Sequence, residues 1–389
     1  MATFAIGTDS FVIAGILPEV ARSLDVSVGS AGQLVTAYAL TYALLSPVIA
    51  VVTARWSRER LLLTGVGLFI LANVAAAVAP TFGLVLLSRV VAGIGGAAVT
   101  PVALAAGASL VPPEKRGTAL SIVGGGVAVS SALGVPLGAA IGGWSDWRVT
   151  MWFVAALGLI AAVGIGVFLR DLPAPFALTL RQRLSPLKDS RVALVLATTI
   201  VVFTGNFTLN VYVSQAFGRA TGGEATTLAL LLFLSGLAGV VGSLGSGPLT
   251  DRFGSRRVFN IAVGVSILNF ALLPWTSANL GLAIAAVIVW GVFGWSQLVP
   301  QQHRLILISP QSAPLAISLN SSVVFIGASL SGVVGAIALT LIDARYLGFV
   351  GAAFFAVGLA IAQIADAAIT RHTTPAQPPA TATPEPSTG

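Results

Sequence analysis

The chain has no cysteine, two histidines, and charged side chains at only 8% of its 389 positions. Without cysteine there is neither a disulfide framework nor a thiolate metal site. Two histidines, neither beside a helical carboxylate pair, leave an embedded metalloenzyme without ligands, so no metal and no cofactor are expected. A soluble domain averages about 25% charged residues, which excludes an ordinary globular fold. A phosphate loop is missing as well. That loop needs Gly-Lys-Ser/Thr, and the two lysines, Lys115 and Lys188, follow Glu114 and Leu187.

What the chain does have is apolar length: 56% hydrophobic residues, 43 Gly and 20 Pro, with a mean hydropathy of +0.96. This suits packed membrane helices, whose small residues let backbones approach closely. The charges punctuate long uncharged runs, and about 20 helical residues cross the hydrocarbon. Twelve spans are predicted, numbered in order: 2–21, 30–53, 61–79, 82–110, 117–141, 149–169, 192–217, 225–249, 258–273, 280–308, 314–340 and 346–369. Membrane strands of about ten residues are too short to account for them. An even number of spans puts both termini on one side. That side holds fifteen Lys and Arg against four on the other (Arg22, Arg148, Arg219 and Arg345), so the positive-inside rule makes both termini cytoplasmic. The net charge of +7 is thus an orientation signal spread over short loops, and no nucleic-acid partner is expected. A cleaved signal peptide is not expected either, since the first run has no basic n-region. Residues 1–169 and 192–370 read as two six-helix bundles, 170–191 as a cytoplasmic linker, and 371–389, rich in Pro, Thr and Ala, as a disordered tail.

The halves match at a fixed offset. Arg219, Arg252 and Arg257 each stand 197 residues after Arg22, Arg55 and Arg60. Parallel six-helix repeats with a substrate site between them near the midplane are a common build for secondary transporters.

Several segments resemble the major facilitator superfamily. Gly247 followed by Thr250-Asp251-Arg252-Phe253-Gly254-Ser255-Arg256-Arg257 looks like its short loop signature, and Arg89-Val90-Val91-Ala92-Gly93-Ile94-Gly95-Gly96 is similar to its fourth-helix arginine motif. Gly134-Val135-Pro136-Leu137-Gly138 with Gly142-Gly143 resembles the antiporter motif of its fifth helix. Gly7 to Pro18 and Ala31 to Leu40, a stretch that includes Tyr38, look like the drug:proton antiporters related to sugar efflux permeases and chloramphenicol exporters. The resemblance implies an all-α integral membrane fold of two pseudo-symmetric bundles, working by alternating access. Two positions depart from the pattern. Ala54 and Ser57 stand where the second loop has Asp251 and Gly254. The helix 1 carboxylate is Asp9, where such exporters often have a glutamate at the position of Ser10, about 100° around the helix.

Asp9 is the one acidic residue well inside a predicted span. Counting from Arg22 it lies about 16–20 Å below the outer surface, close to the midplane. Intramembrane carboxylates are costly and usually face a cavity or a partner. Arg89 sits about 10 Å in from the outer end of span 4 and stays charged at any relevant pH. Asp9 is therefore the expected proton carrier and Arg89 its tuner, although a static ion pair would explain both. In the repeat Asp9 matches Asn206, and Arg89 matches apolar Ala286 and Val287, so the charges are not a requirement of the fold. Asn206, Phe207, Asn210, Trp290, Phe293, Gln297 and Tyr38 are the expected substrate contacts, since rings with a few amides suit an amphipathic molecule. Asp251, Arg252, Gly254 and Arg256 are expected to latch the cytoplasmic face. Gly134, Pro136 and Gly138 are expected to pack helices closely and shape their rocking. His303, Arg304 and Asp366 read as snorkelling helix-end groups.

No soluble domain or catalytic inventory supports an enzyme, and no ATP site supports a pump. The reading is a monomeric carrier in the cytoplasmic membrane that exports small hydrophobic or amphipathic molecules, such as drugs, in exchange for protons. A sugar or metabolite exporter or facilitator of the same fold is the alternative. The nearly apolar interior favours the first.

Overall fold

In the computed structural model, described residues are 1–53, 55–110, 112, 123, 125–169 and 180–373. Ala54, Gly124, Lys115, Arg116, most of the linker and residues 374–389 lie outside them. Nearly all the rest is helix. Spans 2 to 8 are Val28–Val52, Arg58–Val78, Phe82–Ser109, Gly125–Trp144, Trp147–Phe168, Ser190–Val211 and Ala225–Phe253. Spans 10 to 12 follow as Leu280–Ile308, Ala313–Leu341 and Leu347–Thr373. Span 1 is a bent pair, Ala2–Gly15 and Leu17–Ser23, turned by 67° at Ile16 where Pro18 opens the second piece. Span 9, Ser255–Ala271, has 17 residues and is continued by the turn Leu273–Thr276. Span 12 runs past the expected end, taking Arg371 into its last turns.

Polar residues set the helix starts. Ser27, Ser57 and Asp146 cap spans 2, 3 and 6 by accepting backbone N–H groups of the first turn. In the second half spans 8 and 9 start at Glu224 and Gly254, and Asp343 caps the 3-10 turn Ala344–Tyr346 that leads into span 12, each 197 residues on. The repeat register seen in the first sixty residues therefore reaches the last span of each half. Gly254 has φ +82 and ψ 148, a conformation essentially confined to glycine, and so ends span 8 and starts span 9 in one residue.

Packing repeats in the same way. Spans 3–4, 3–6, 2–4, 1–5 and 1–6 touch in the first bundle, and 9–10, 9–12, 8–10, 7–11 and 7–12 in the second. The bundles meet along two equivalent seams, span 2 on span 11 and span 5 on span 8. Among the described residues three side-chain hydrogen bonds join them: Gln33 Nε2 to Gly332 O (3.4 Å), Thr36 Oγ1 to Ser329 O (3.1 Å) and Trp144 Nε1 to Thr226 Oγ1 (3.3 Å). All three lie in the halves of the spans away from the termini. Glycine-mediated contacts, Gly29 on Ala336 and Gly143 on Ala225, lie there too. Past Tyr42 and Phe325 toward the terminus side, spans 2 and 11 share no hydrogen bond or ion pair among the described residues. The molecule is closed on the far side.

Candidate functional site: a buried ion pair and an aromatic seam

Asp9 sits mid-helix in the first segment of span 1, and Arg89 two turns into span 4. The guanidinium engages the carboxylate as a fork, Nη1 to Oδ1 and Nη2 to Oδ2, each at 2.8 Å, and Nη2 also reaches Asp9 O at 3.3 Å. Asp9 is 0% and Arg89 1% exposed. Planar two-point pairing of this kind combines two charge-assisted hydrogen bonds with a fixed geometry. Arg89 Nε is buried with no hydrogen-bond partner, so the pair is bound but incompletely solvated. Tyr38, from span 2, places its ring 4.9 Å from Arg89 Cζ. Its hydroxyl lies 3.0 Å from Ser10 Oγ, the residue next to Asp9.

The glycines of the arginine motif explain how span 4 gets close enough. A Cβ on Gly93 would sit 2.7 Å from Tyr38 O, one on Gly95 2.7 Å from Gly65 O, and one on Gly96 2.6 Å from the Tyr38 hydroxyl. Span 4 is wedged between spans 2 and 3 by these three. On the other flank of span 1, Cβ atoms at Gly134 and Gly138 would collide with Thr8 and Val12, and one at Gly142 would lie 2.6 Å from Ile16 Cγ2. A π-helical turn, Ser130–Gly134, immediately precedes Pro136 in span 5. Proline cannot donate to the carbonyl four residues back, which frees that turn to widen.

Among the described residues three ring contacts cross from one bundle to the other. Phe11 stacks on Phe207 at 5.7 Å and meets Trp295 edge-on at 6.2 Å, and Tyr42 stacks on Phe325 at 3.9 Å. Below them a cavity of about 160 Å³ opens between spans 5, 8 and 10, lined by Ser131, Ser243 and Trp295 among others. Phe207 is thus at the seam, as its sequence position suggested. Trp295 is one of the aromatics of spans 7 and 10 that the sequence offers for such a cavity, while Phe11 and Phe325 are additions that only their span numbers could have hinted at.

The other expected contacts are placed differently. Asn206 Oδ1 accepts from Trp290 Nε1 at 2.7 Å, so these two bind each other inside the second bundle. Gln297 is fully buried and donates to Ser266 Oγ of span 9 at 2.9 Å, facing away from the seam. Phe293 lines a groove of about 470 Å³ between spans 8, 9 and 10. Asn210 is half-buried near the far-side end of span 7. Snorkelling does not describe Arg304. It is 2% exposed, pairs with Asp366 Oδ2 at 3.0 Å and lies 4.8 Å over the Phe259 ring. Burial between spans 9, 10 and 12 made an ion pair better than a reach for water. Arg256 joins the same oxygen at 3.3 Å, while Asp251 and Arg252 are exposed.

Two bundles of six helices with matched contacts and one polar pair buried at the first bundle's heart define a membrane carrier. The profile of the Major Facilitator Superfamily matches residues 1–302 and again 195–388, and the chain belongs to that family. It is a multi-pass membrane transporter for small substrates. It is 30% identical to the uncharacterized MFS-type transporter YbcL of Bacillus subtilis (strain 168), over 94% of this chain and 93% of that one. To the chloramphenicol resistance protein of Streptomyces lividans it is 32% identical, over 65% of each chain. Among solved structures it resembles a bacterial homologue of the human lysosomal transporter Spinster, inward-facing and unoccupied, with TM-score 0.75, 19% identity and coverage of 96% and 98%. It also resembles the nucleoside transporter NupG, with TM-score 0.72, 13% identity and coverage of 94% and 99%. At these identities the structures share the fold.

Proposed function

We propose that the protein exports small hydrophobic or amphipathic molecules in exchange for protons, with Asp9 as the proton site. The observation that carries this is the fully buried Asp9–Arg89 fork between spans 1 and 4 of the first bundle. A carboxylate there can be carried through the closed intermediate either paired or protonated, and a substrate that binds only while Asp9 is charged and paired with Arg89 displaces the proton. Each proton supplies about 2.3 kcal/mol per 100 mV and about 1.4 kcal/mol per pH unit, enough for a substrate gradient of a few hundredfold. The aromatic seam supports a ring-bearing or apolar substrate over a sugar, which would need more hydrogen-bonding groups than Ser131 and Ser243 provide. The resistance protein among the relatives adds to that support.

In this reading the closed far side is the outer face, the termini are cytoplasmic, and residues 1–169 and 192–370 rock as two bodies joined by 170–191. Asp251, Arg252 and Gly254 engage only when the terminus side closes, and Arg256, held by Asp366, anchors their loop. The test is proton release on adding chloramphenicol, and a panel of other apolar drugs, to purified protein. Wild type should release protons and Asp9→Asn should not. Equal signals would place the coupling elsewhere, and no signal with any drug in either protein would make it a uniporter or a carrier of other molecules.

A further inference from the structure

Arg89 has a difficulty that the ion pair alone does not solve. When Asp9 takes up a proton, a guanidinium 1% exposed is left in the membrane interior without a counter-charge. Spans 3, 5, 6 and 7 carry no ionisable side chain over 61–78, 125–144, 149–169 and 192–211, and neither does span 11 over 313–341. From span 2 Tyr38 lies over Arg89, and Tyr42, one turn on and 6.4 Å from Tyr38, stacks on Phe325 instead. No second carboxylate is available to take over.

We infer that Tyr38 is a positioning residue whose ring face holds Arg89 in the proton-loaded carrier, so that the ring, and not substrate contact, is its contribution to coupling. This rests on the proton-exchange reading above. The ring is 4.9 Å from Arg89 Cζ, within cation–π range, and is itself 1% exposed. Its orientation is fixed at both ends. The hydroxyl is held 3.0 Å from Ser10 Oγ, which in turn donates to Ile6 O at 2.7 Å, and Gly96 leaves room for it. The Tyr38 backbone is clasped by Gly93. While Asp9 is charged, the fork holds the guanidinium against the carboxylate. Once Asp9 is neutral the fork weakens, and the guanidinium is free to settle closer on the ring. The π face also presents partial negative charge to a site that already contains a carboxylate. Both effects favour the protonated carboxyl, so the ring raises the affinity of Asp9 for its proton. Removing the ring must lower it.

The experiment measures drug-induced proton release from purified protein as a function of pH, for wild type, Tyr38→Phe and Tyr38→Leu. Tyr38→Phe should keep a wild-type midpoint, because the ring remains. Tyr38→Leu should move the midpoint to lower pH by about one unit, the size that a desolvated cation–π contact supports. A midpoint unchanged or raised in Tyr38→Leu overturns the assignment, as does an equal shift in Tyr38→Phe, which would credit the hydroxyl. Should Tyr38→Leu fail to fold, mono-, di- and trifluorinated phenylalanine at position 38 keep the shape while draining the ring face. The midpoint should then fall stepwise with fluorination, and a flat series overturns the idea. Failure of the parent reading looks different, since there Asp9→Asn releases protons like wild type.

Discussion

Asn206 stands 197 residues after Asp9, and where Asp9 is gripped by Arg89 across spans 1 and 4, Asn206 is bound by Trp290 across spans 7 and 10. Both bundles keep a buried polar tie between equivalent spans. Only the first makes it from charges. Gly294, whose Cβ would lie 2.9 Å from Asn206 Oδ1, allows the neutral version its close approach. The architecture therefore needs a tie at this place and does not need an ionic one.

That difference predicts stabilities. Asp9→Leu strands a buried guanidinium and should cost about 3–5 kcal/mol, whereas Asp9→Leu with Arg89→Met should regain most of it. Asn206→Leu leaves one indole N–H unpaired and should cost about 1–3 kcal/mol. Unfolding of the purified variants in detergent reads all three. A double variant no more stable than Asp9→Leu would sink the account.

Arg89→Lys keeps the charge but gives up the two-point fork. Losing one charge-assisted hydrogen bond of the pair should lower protonophore-sensitive efflux about tenfold or more. Efflux assays in cells without their own pumps measure it, and wild-type rates would show that a point charge suffices.

Glycines of similar sequence context should behave oppositely. Gly138→Ala drives a methyl into Val12 and lies 3.1 Å from Thr150 Cγ2, so overpacking of about 1–3 kcal/mol is expected. Gly247→Ala, in the loop signature, meets nothing within 4 Å and should be tolerated. Equal thermal shifts for the two would contradict the packing described.

The terminus-side latch can be watched directly. The native chain has no cysteine, so cysteines placed at Val52 and Ser312 take spin labels cleanly. Asp251 is exposed in the far-side-closed state, and Asp251→Asn should leave that state's label distance unchanged. It should instead deplete the short-distance population that substrate or high pH induces. Unaltered populations under both conditions would remove the latch.

The spans, their number, the repeat and the Asp9–Arg89 pair were legible in the sequence, because length, charge spacing and the rarity of buried charge are one-dimensional signals. Which way a side chain faces was not. Span 10 is apolar on nearly every side, since lipid and protein neighbours are alike oily, so nothing in its pattern distinguishes Trp295 at the seam from Phe293 in an outer groove. Gln297 was drawn to a substrate role by its polarity, yet Ser266 of span 9 satisfies its amide nitrogen. Arg304 and Asp366 lie 62 residues apart, and only the fold brings them to 3.0 Å. Of the loop signature, Arg256 pairs with Asp366 while Asp251 and Arg252 are exposed, a division that the loop's sequence does not carry.

The two copies differ in residue count and in the regularity of their fifth helices. The caps of spans 2, 3 and 6 recur after 197 residues, but Thr81 and Asn279, which begin spans 4 and 10, are 198 apart. Between those caps and the starts of spans 6 and 12 the first copy is therefore one residue longer than the second. Span 11 is α-helical throughout Ala313–Leu341, while span 5 widens at Ser130–Gly134. Gly126 before that turn, Gly134 at its end, and Gly138 and Gly142 after it all face span 1, against Thr3, Thr8, Val12 and Ile16. One widened turn thus lets span 5 hold these glycines against a single neighbour over its whole described length.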